Sequence, residues 1–214
     1  ALLEGLNPAQ RAAVSSTASP LCILAGAGSG KTRVLTRRVA WRAATGDLDP
    51  RHVLALTFTR KAAAELTSRL RELGLRDRVA AGTFHSVAYA QLRSRWADRG
   101  IQPPTLLDRK VGFVARILPM SAKDVPPIDL VAEIEWAKAR MVEPQGYARA
   151  ATAAGRRPPL EPTEVARIFA AYEEARRERR MVDFDDLLRL CRRDLLRDLE
   201  FARAQQWRFQ HLFV

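Results

Sequence analysis

LCILAGAGSGKTRVLTRRVAWRAA, residues 21–44, decides the fold. It opens on a short apolar run, residues 21–26, and passes into a loop punctuated by Gly26, Gly28 and Gly30. Beyond the loop Val34, Leu35, Val39 and Ala43 recur with helical spacing, so the stretch reads as strand, loop, helix. The loop matches the pattern G-x-x-x-x-G-K-[ST], with Ala25 in place of the first Gly. The chain from Ala25 through Gly26, Ala27, Gly28, Ser29 and Gly30 can turn successive backbone N–H groups toward one anion, and the helix N-terminus adds partial positive charge. Lys31 reaches the outer phosphates and Thr32 can ligate Mg²⁺. A merely flexible glycine turn would not need a Lys-Thr pair between an apolar run and a helix.

Working outward, HVLALTFT at residues 52–59 reads as a second buried strand. A helix follows over residues 62–73, ended by Gly74, and VAAGTF at 79–84 reads as a third strand. Strands separated by helices of this length predict an α/β fold with a parallel sheet covered on both faces. From about Val87 the alternation stops. Amphipathic faces then follow one another, with Ala88, Leu92 and Trp96 on one, Leu130, Val131, Ile134 and Met141 on a second, and Val165, Ile168, Phe169 and Tyr172 on a third. Proline pairs at 103–104, 126–127 and 158–159 punctuate them. The expected organisation is a nucleotide-binding core over residues 1–87 and 204–214, closing on the strand FQHLFV, with an all-helical insertion over 88–203.

The chain has 214 residues, enough to bury a sizeable core. Lys+Arg 36 against Asp+Glu 24 gives a net charge of +12, which favours a polyanionic partner, although an Arg- and Ala-rich composition habit would give the same sum. No apolar run is long enough to span a membrane, and residues 1–20 lack the sections of a signal peptide. Cys22 and Cys191 show no metal-binding or redox spacing, so reduced thiols in a cytoplasmic protein are expected.

Three further motifs accompany the phosphate loop in order: LNPAQ at residues 6–10, LTFTRKAAAEL at 56–66 and GTFHS at 82–86. The ordered set resembles the N-terminal part of a superfamily 1A DNA helicase of the UvrD/Rep/PcrA group, and the resemblance extends over nearly the whole chain. It implies a RecA-like P-loop NTPase core, ATP and Mg²⁺ as cofactors, and 3′-to-5′ translocation on single-stranded DNA in repair or replication, with further helicase domains as partners. In such a protein Gln10 would pair with adenine, since its amide offers one donor and one acceptor to N7 and N6. Arg33 would lie against the adenine ring, although a solvated helix-face arginine explains it as well. In LTFTRKAAAEL, Phe58 would offer a face to a base and Thr57 and Thr59 hydroxyls to phosphates. Arg60 stands where the family usually has Asn. Taken alone, Phe58 reads as core, but the matching GTFHS tips the balance toward the contact with a base. In GTFHS, Thr83 and His85 would contact the DNA backbone.

MVDFDDLL at residues 181–188 also resembles a family segment, but Asp183 as N-cap with Asp185 and Asp186 in the first turn is sufficient explanation. RRERRM at 176–181 reads equally as a phosphate-facing run or a solvated helix end. The resemblance further implies that the acidic metal-binding and catalytic pair follows Val214, so that this chain binds Mg²⁺·ATP without turning it over. A helicase subunit of a RecB- or AdnB-type helicase–nuclease, a nucleic-acid-binding module with ATP as a structural ligand, and a small P-loop kinase are the competing readings.

Overall fold

The computed structural model describes residues 2–75 and 79–214. In chain order the elements are α1 (Pro8–Ser15), α2 (Lys31–Ala44), β1 (Val53–Thr57), α3 (Arg60–Glu72), β2 (Ala80–Thr83), α4 (Phe84–Asp98), β3 (Thr105–Leu106) and α5 (Lys110–Ile117). They continue with α6 (Pro127–Ala139), α7 (Tyr147–Ala153), α8 (Pro162–Glu178), β4 (Met181–Val182), α9 (Phe184–Arg197), α10 (Leu199–Arg208) and β5 (His211–Phe213). Two compact units result: residues up to Val87 with Asp194–Val214, and Ala88–Arg193. The sequence pattern draws the second boundary at 204, whereas the structure assigns residues 194–203 to the first unit.

In the first unit β1 lies between β2 and β5 and is parallel to both, with Thr57 level with Thr83 and Ala55 with Phe213. Its residues Val53, Leu54, Ala55 and Leu56 are all buried, as a strand covered on both faces requires. Val39 and Ala40 of α2 and Leu66 and Leu70 of α3 pack with Val53 and Ala55 in one core. Gly74, at φ +76, stands just beyond the end of α3, as its position in the sequence predicts.

The strand expected over residues 21–26 does not form. Leu21 and Ile23 are exposed and Leu24 is 93% exposed, and residues 21–26 form no strand ladder with the described residues. Apolar composition supplies strand propensity, but only a neighbouring backbone supplies the hydrogen bonds that make a strand.

The second unit packs Phe113 and Val114 of α5, Leu130 and Ile134 of α6, Tyr147 of α7, and Val165, Phe169 and Tyr172 of α8 into one core. Phe113 meets Tyr172 edge to face, with ring centroids 5.7 Å apart. It is not all-helical: β3 and β4 pair in parallel, Thr105 opposite Met181. Runs this short carry too little periodicity to be read from sequence. Met141 departs from its expected apolar face as well, being half exposed beyond the end of α6 with φ 56.

A group of charges is buried beside this core. Lys138 is fully enclosed, and its Nζ lies 2.7 Å from both Asp183 and Asp186 and 3.1 Å from Glu173. Tyr172 donates to Asp183 at 2.6 Å, and Lys110 pairs with Asp185 and Glu135. Asp183 and Asp186 also cap each other's backbone N–H at the start of α9, as the capping explanation requires. Arg176 belongs to this network, paired with Glu173 and Asp186 and donating to the Met181 carbonyl, so the first residue of RRERRM is not a solvated helix end.

Candidate nucleotide and nucleic-acid site

The phosphate loop owes its shape to two glycines that take the left-handed region, Gly28 at φ 74 and Gly30 at φ 82. Gly30 is the N-cap of α2 and offers no side chain, and helix geometry leaves the first-turn N–H groups without intrahelical acceptors. Such an end is an anion-binding position. The loop closes on the Gly26 carbonyl, which accepts from Ser29 Oγ at 2.7 Å and from Lys31 Nζ at 2.7 Å. Lys31 Nζ also lies 3.4 Å from the Ala25 carbonyl.

Gly30→Ala is expected to lower stability by about 1–2 kcal/mol, since an L-residue is strained at this φ. Its Cβ would also stand 3.2 Å from Gln10 Nε2. Thermal unfolding checks this; an unchanged melting temperature would show that the loop readily adopts another shape.

The loop opens on a cavity of ≈ 740 Å³ whose lining includes Asn7, Gln10, Ser29, Lys31, Thr32 and Arg38. Gln10 thus shares the cavity with Lys31 and Thr32. Its amide is held at both ends: Oε1 accepts from the Asn7 N–H at 3.1 Å, and Nε2 donates to the Ser29 carbonyl at 2.9 Å. Gln10 N–H in turn donates to Asn7 Oδ1 at 2.8 Å, a capping box that starts α1. Arg33 lies against the Gly5 turn, where an added Cβ would meet its Nη2 at 3.0 Å. The buried guanidinium of Arg38 donates to the carbonyls of Ala13, Ser16 and Ala18, fastening the end of α1 to α2. Burial, and then the charge of Arg42, lower its pKa from the usual guanidinium value.

At the carboxyl ends of the strands, β1 leads into Phe58 and Thr59 and β2 into Phe84 and His85, side by side because Thr57 and Thr83 are in register. Phe58 is 80% exposed, which overturns the reading of it as core. Its ring tilts against Phe84, centroid to centroid 5.1 Å. Thr59 caps α3, its Oγ1 accepting from Ala62 N–H at 3.1 Å, which leaves the hydroxyl proton to donate elsewhere. Arg60 is exposed directly after it. Thr83 is buried, and its hydroxyl donates to Ser86 Oγ and accepts from Ser86 N–H. It therefore organises the turn that carries Phe84 and His85, and its hydroxyl is committed inside the motif.

Sequence reasoning missed Phe84 as the partner of Phe58, Asn7 as the residue that holds Gln10, and Arg38 as the fastening of α1. The signal for Asn7 lay in the sequence, since Asn-x-x-Gln before an apolar run is a capping-box pattern.

This arrangement joins a glycine-rich loop at the head of α2 to exposed Phe58 and half-buried Phe84 at the ends of parallel strands, and residues 6–214 match the family model described as UvrD/REP helicase N-terminal domain. The chain belongs to that family. It is 42% identical to ATP-dependent DNA helicase UvrD2 of Mycobacterium tuberculosis, 35% to ATP-dependent DNA helicase PcrA of Bacillus subtilis and 33% to DNA helicase II of Escherichia coli. Each alignment covers 100% of this chain and, in turn, 32%, 29% and 30% of the relative. The chain thus spans about a third of the length of these relatives. Among the described residues, no helix is long and apolar enough to cross a membrane.

Proposed function

We propose that this chain is the RecA-like, ATP-binding region of an ATP-dependent DNA helicase that translocates 3′ to 5′ on single-stranded DNA in repair or replication. The observation that carries the reading is the shared cavity of Gln10, Lys31 and Thr32 at the head of α2. A nucleoside triphosphate would set its phosphates on the first-turn N–H groups and Lys31, with Thr32 supplying one oxygen to Mg²⁺. Bound Mg²⁺ would offset charge developing on the phosphoryl group. Gln10 would face the base, and Arg33, beside the Gly5 turn, would come against its ring. The relatives named as ATP-dependent DNA helicases support the same reading for the longer protein.

No Asp or Glu side chain lines the cavity among the described residues. This favours binding of Mg²⁺·ATP without turnover by the 214-residue chain, because phosphoryl transfer needs a carboxylate on the metal and a group that orients water. Phosphate release tests it: robust turnover by this chain that vanishes in Lys31→Ala would overturn the incomplete-site reading.

For DNA, Phe58 and Phe84 would offer bases an aromatic surface, with Thr57, Thr59, Arg60 and His85 near the backbone. The expected result is weak binding of a short single-stranded oligonucleotide that falls steeply as salt rises, because basic residues release counterions from the phosphates. Phe58→Ala should weaken it by about 1–3 kcal/mol. Since Phe58 is exposed, its loss should leave the melting temperature nearly unchanged. Fluorescence anisotropy at increasing salt reads both, and salt-independent binding would remove the DNA track from this face.

A further inference from the structure

The geometry points to Asn7 as a positioning residue that sets which nucleobase the site accepts, by locking the Gln10 amide in one orientation through its backbone N–H. This inference rests on the reading of Gln10 as the adenine contact. A primary amide carries two hydrogens on nitrogen and two lone pairs on oxygen. In Gln10 one hydrogen goes to the Ser29 carbonyl and one lone pair receives the Asn7 N–H. One donor and one acceptor remain, the pair that adenine meets with N7 and its N6 amino group. A flipped amide would set NH₂ against the Asn7 N–H and oxygen against the Ser29 carbonyl, losing both bonds. Guanine presents acceptors at both N7 and O6, so it pairs poorly with an amide that cannot turn its nitrogen toward both. The Ser29 carbonyl belongs to the phosphate loop, so the residue that reads the base is tied to the element that holds the phosphates.

Two functions of Asn7 can be separated by substitution. Its side chain accepts from Gln10 N–H and caps α1, whereas its own N–H orients the amide. Asn7→Asp keeps both, and Asn7→Ala removes the cap alone. Asn7→Pro removes the orienting N–H as well, at a φ of −71° that proline adopts.

The experiment measures ATP, GTP and pyrophosphate affinities of the 214-residue chain and these variants. The wild type should prefer ATP by about 5- to 150-fold, the range expected of one bidentate base contact. Asn7→Asp and Asn7→Ala should keep that ratio, the latter with a lower melting temperature, while Asn7→Pro brings it toward one. Pyrophosphate affinity should stay constant throughout, which separates loss of base reading from damage to the cradle.

A folded Asn7→Pro that retains the full ATP preference overturns the inference, while equal ATP and GTP binding by the wild type sinks the adenine reading itself. Should Asn7→Pro fail to fold, hydrogen exchange at the Asn7 amide decides. Exchange must be slow in the wild type and faster in Gln10→Ala, and an Asn7 amide that exchanges equally in both has no such bond to lose.

Discussion

Lys138→Met is expected to destabilise the helical unit by about 3–5 kcal/mol, the cost of leaving buried charges without their counterion. The methylene stem of Lys138 is replaced well by Met, so lost packing is a small part of the effect. What goes is the ammonium that faces Asp183, Asp186 and Glu173 in an enclosed position. Urea unfolding of the single variant measures it, and a loss below about 1 kcal/mol would show that water reaches these carboxylates.

The same cluster fixes the response to acid. Burial alone would raise the pKa of Asp183, but Lys138 and Lys110 hold it well below the usual carboxylate range, with hydrogen bonds from Lys138 and Tyr172. Glu173 is lowered likewise, its burial outweighed by Lys138 and Arg176. A depressed folded-state pKa contributes stability above the unfolded value, about 4, and that stability is lost as the pH falls through the folded pKa. Asp186 has the opposite sign: burial raises it, Lys138 pulls it down, and the neighbouring Asp183 charge adds to the rise. Its folded form holds a proton more readily, so its contribution is present at low pH and fades as the pH climbs through its raised value. With Asp183 and Glu173 both depressed, the melting temperature of this unit should fall below about pH 4.

Lys31→Ala should weaken Mg²⁺·ATP binding by about 1.5–3 kcal/mol, roughly 10- to 150-fold, through loss of the charge-assisted contact to the outer phosphates. In a longer protein that carries the further helicase domains implied by the resemblance, the same change should abolish DNA-stimulated phosphate release. Isothermal titration and a phosphate-release assay read the two effects. Unchanged ATP affinity would mean that the helix terminus alone holds the phosphates. An inactive extended wild type would undermine the proposed helicase activity itself.

The loop and its helix were legible because their signal is local. Gly28 and Gly30 are needed where φ is positive, and Lys31 and Thr32 stand at the head of α2 as spacing requires. Strand β1 was legible from an apolar run buried on both faces. Residues 21–26 show a comparable run yet no ladder, because composition records what a segment can do while pairing depends on a distant backbone. Phe58 was ambiguous for a related reason, since a strand end in sequence does not reveal how far the strand projects beyond its cover. The buried charges were the least legible. Lys138 reads as one more lysine on a helix until α6, α8 and α9 pack, and only then does it meet Glu173, Asp183 and Asp186.

The bare apolar segment around Leu24 makes ionic strength a colloidal variable for this chain. Two copies can meet through exposed apolar side chains such as Leu24. A charge of +12 keeps copies apart while the Debye length is long, about 30 Å at 0.01 M, and this repulsion collapses to a range of about 3 Å at 1 M. Salt that would weaken a complex with DNA therefore also brings proteins toward one another, and a DNA-free sample separates the two effects: light scattering that grows with salt in the absence of DNA reports clustering alone.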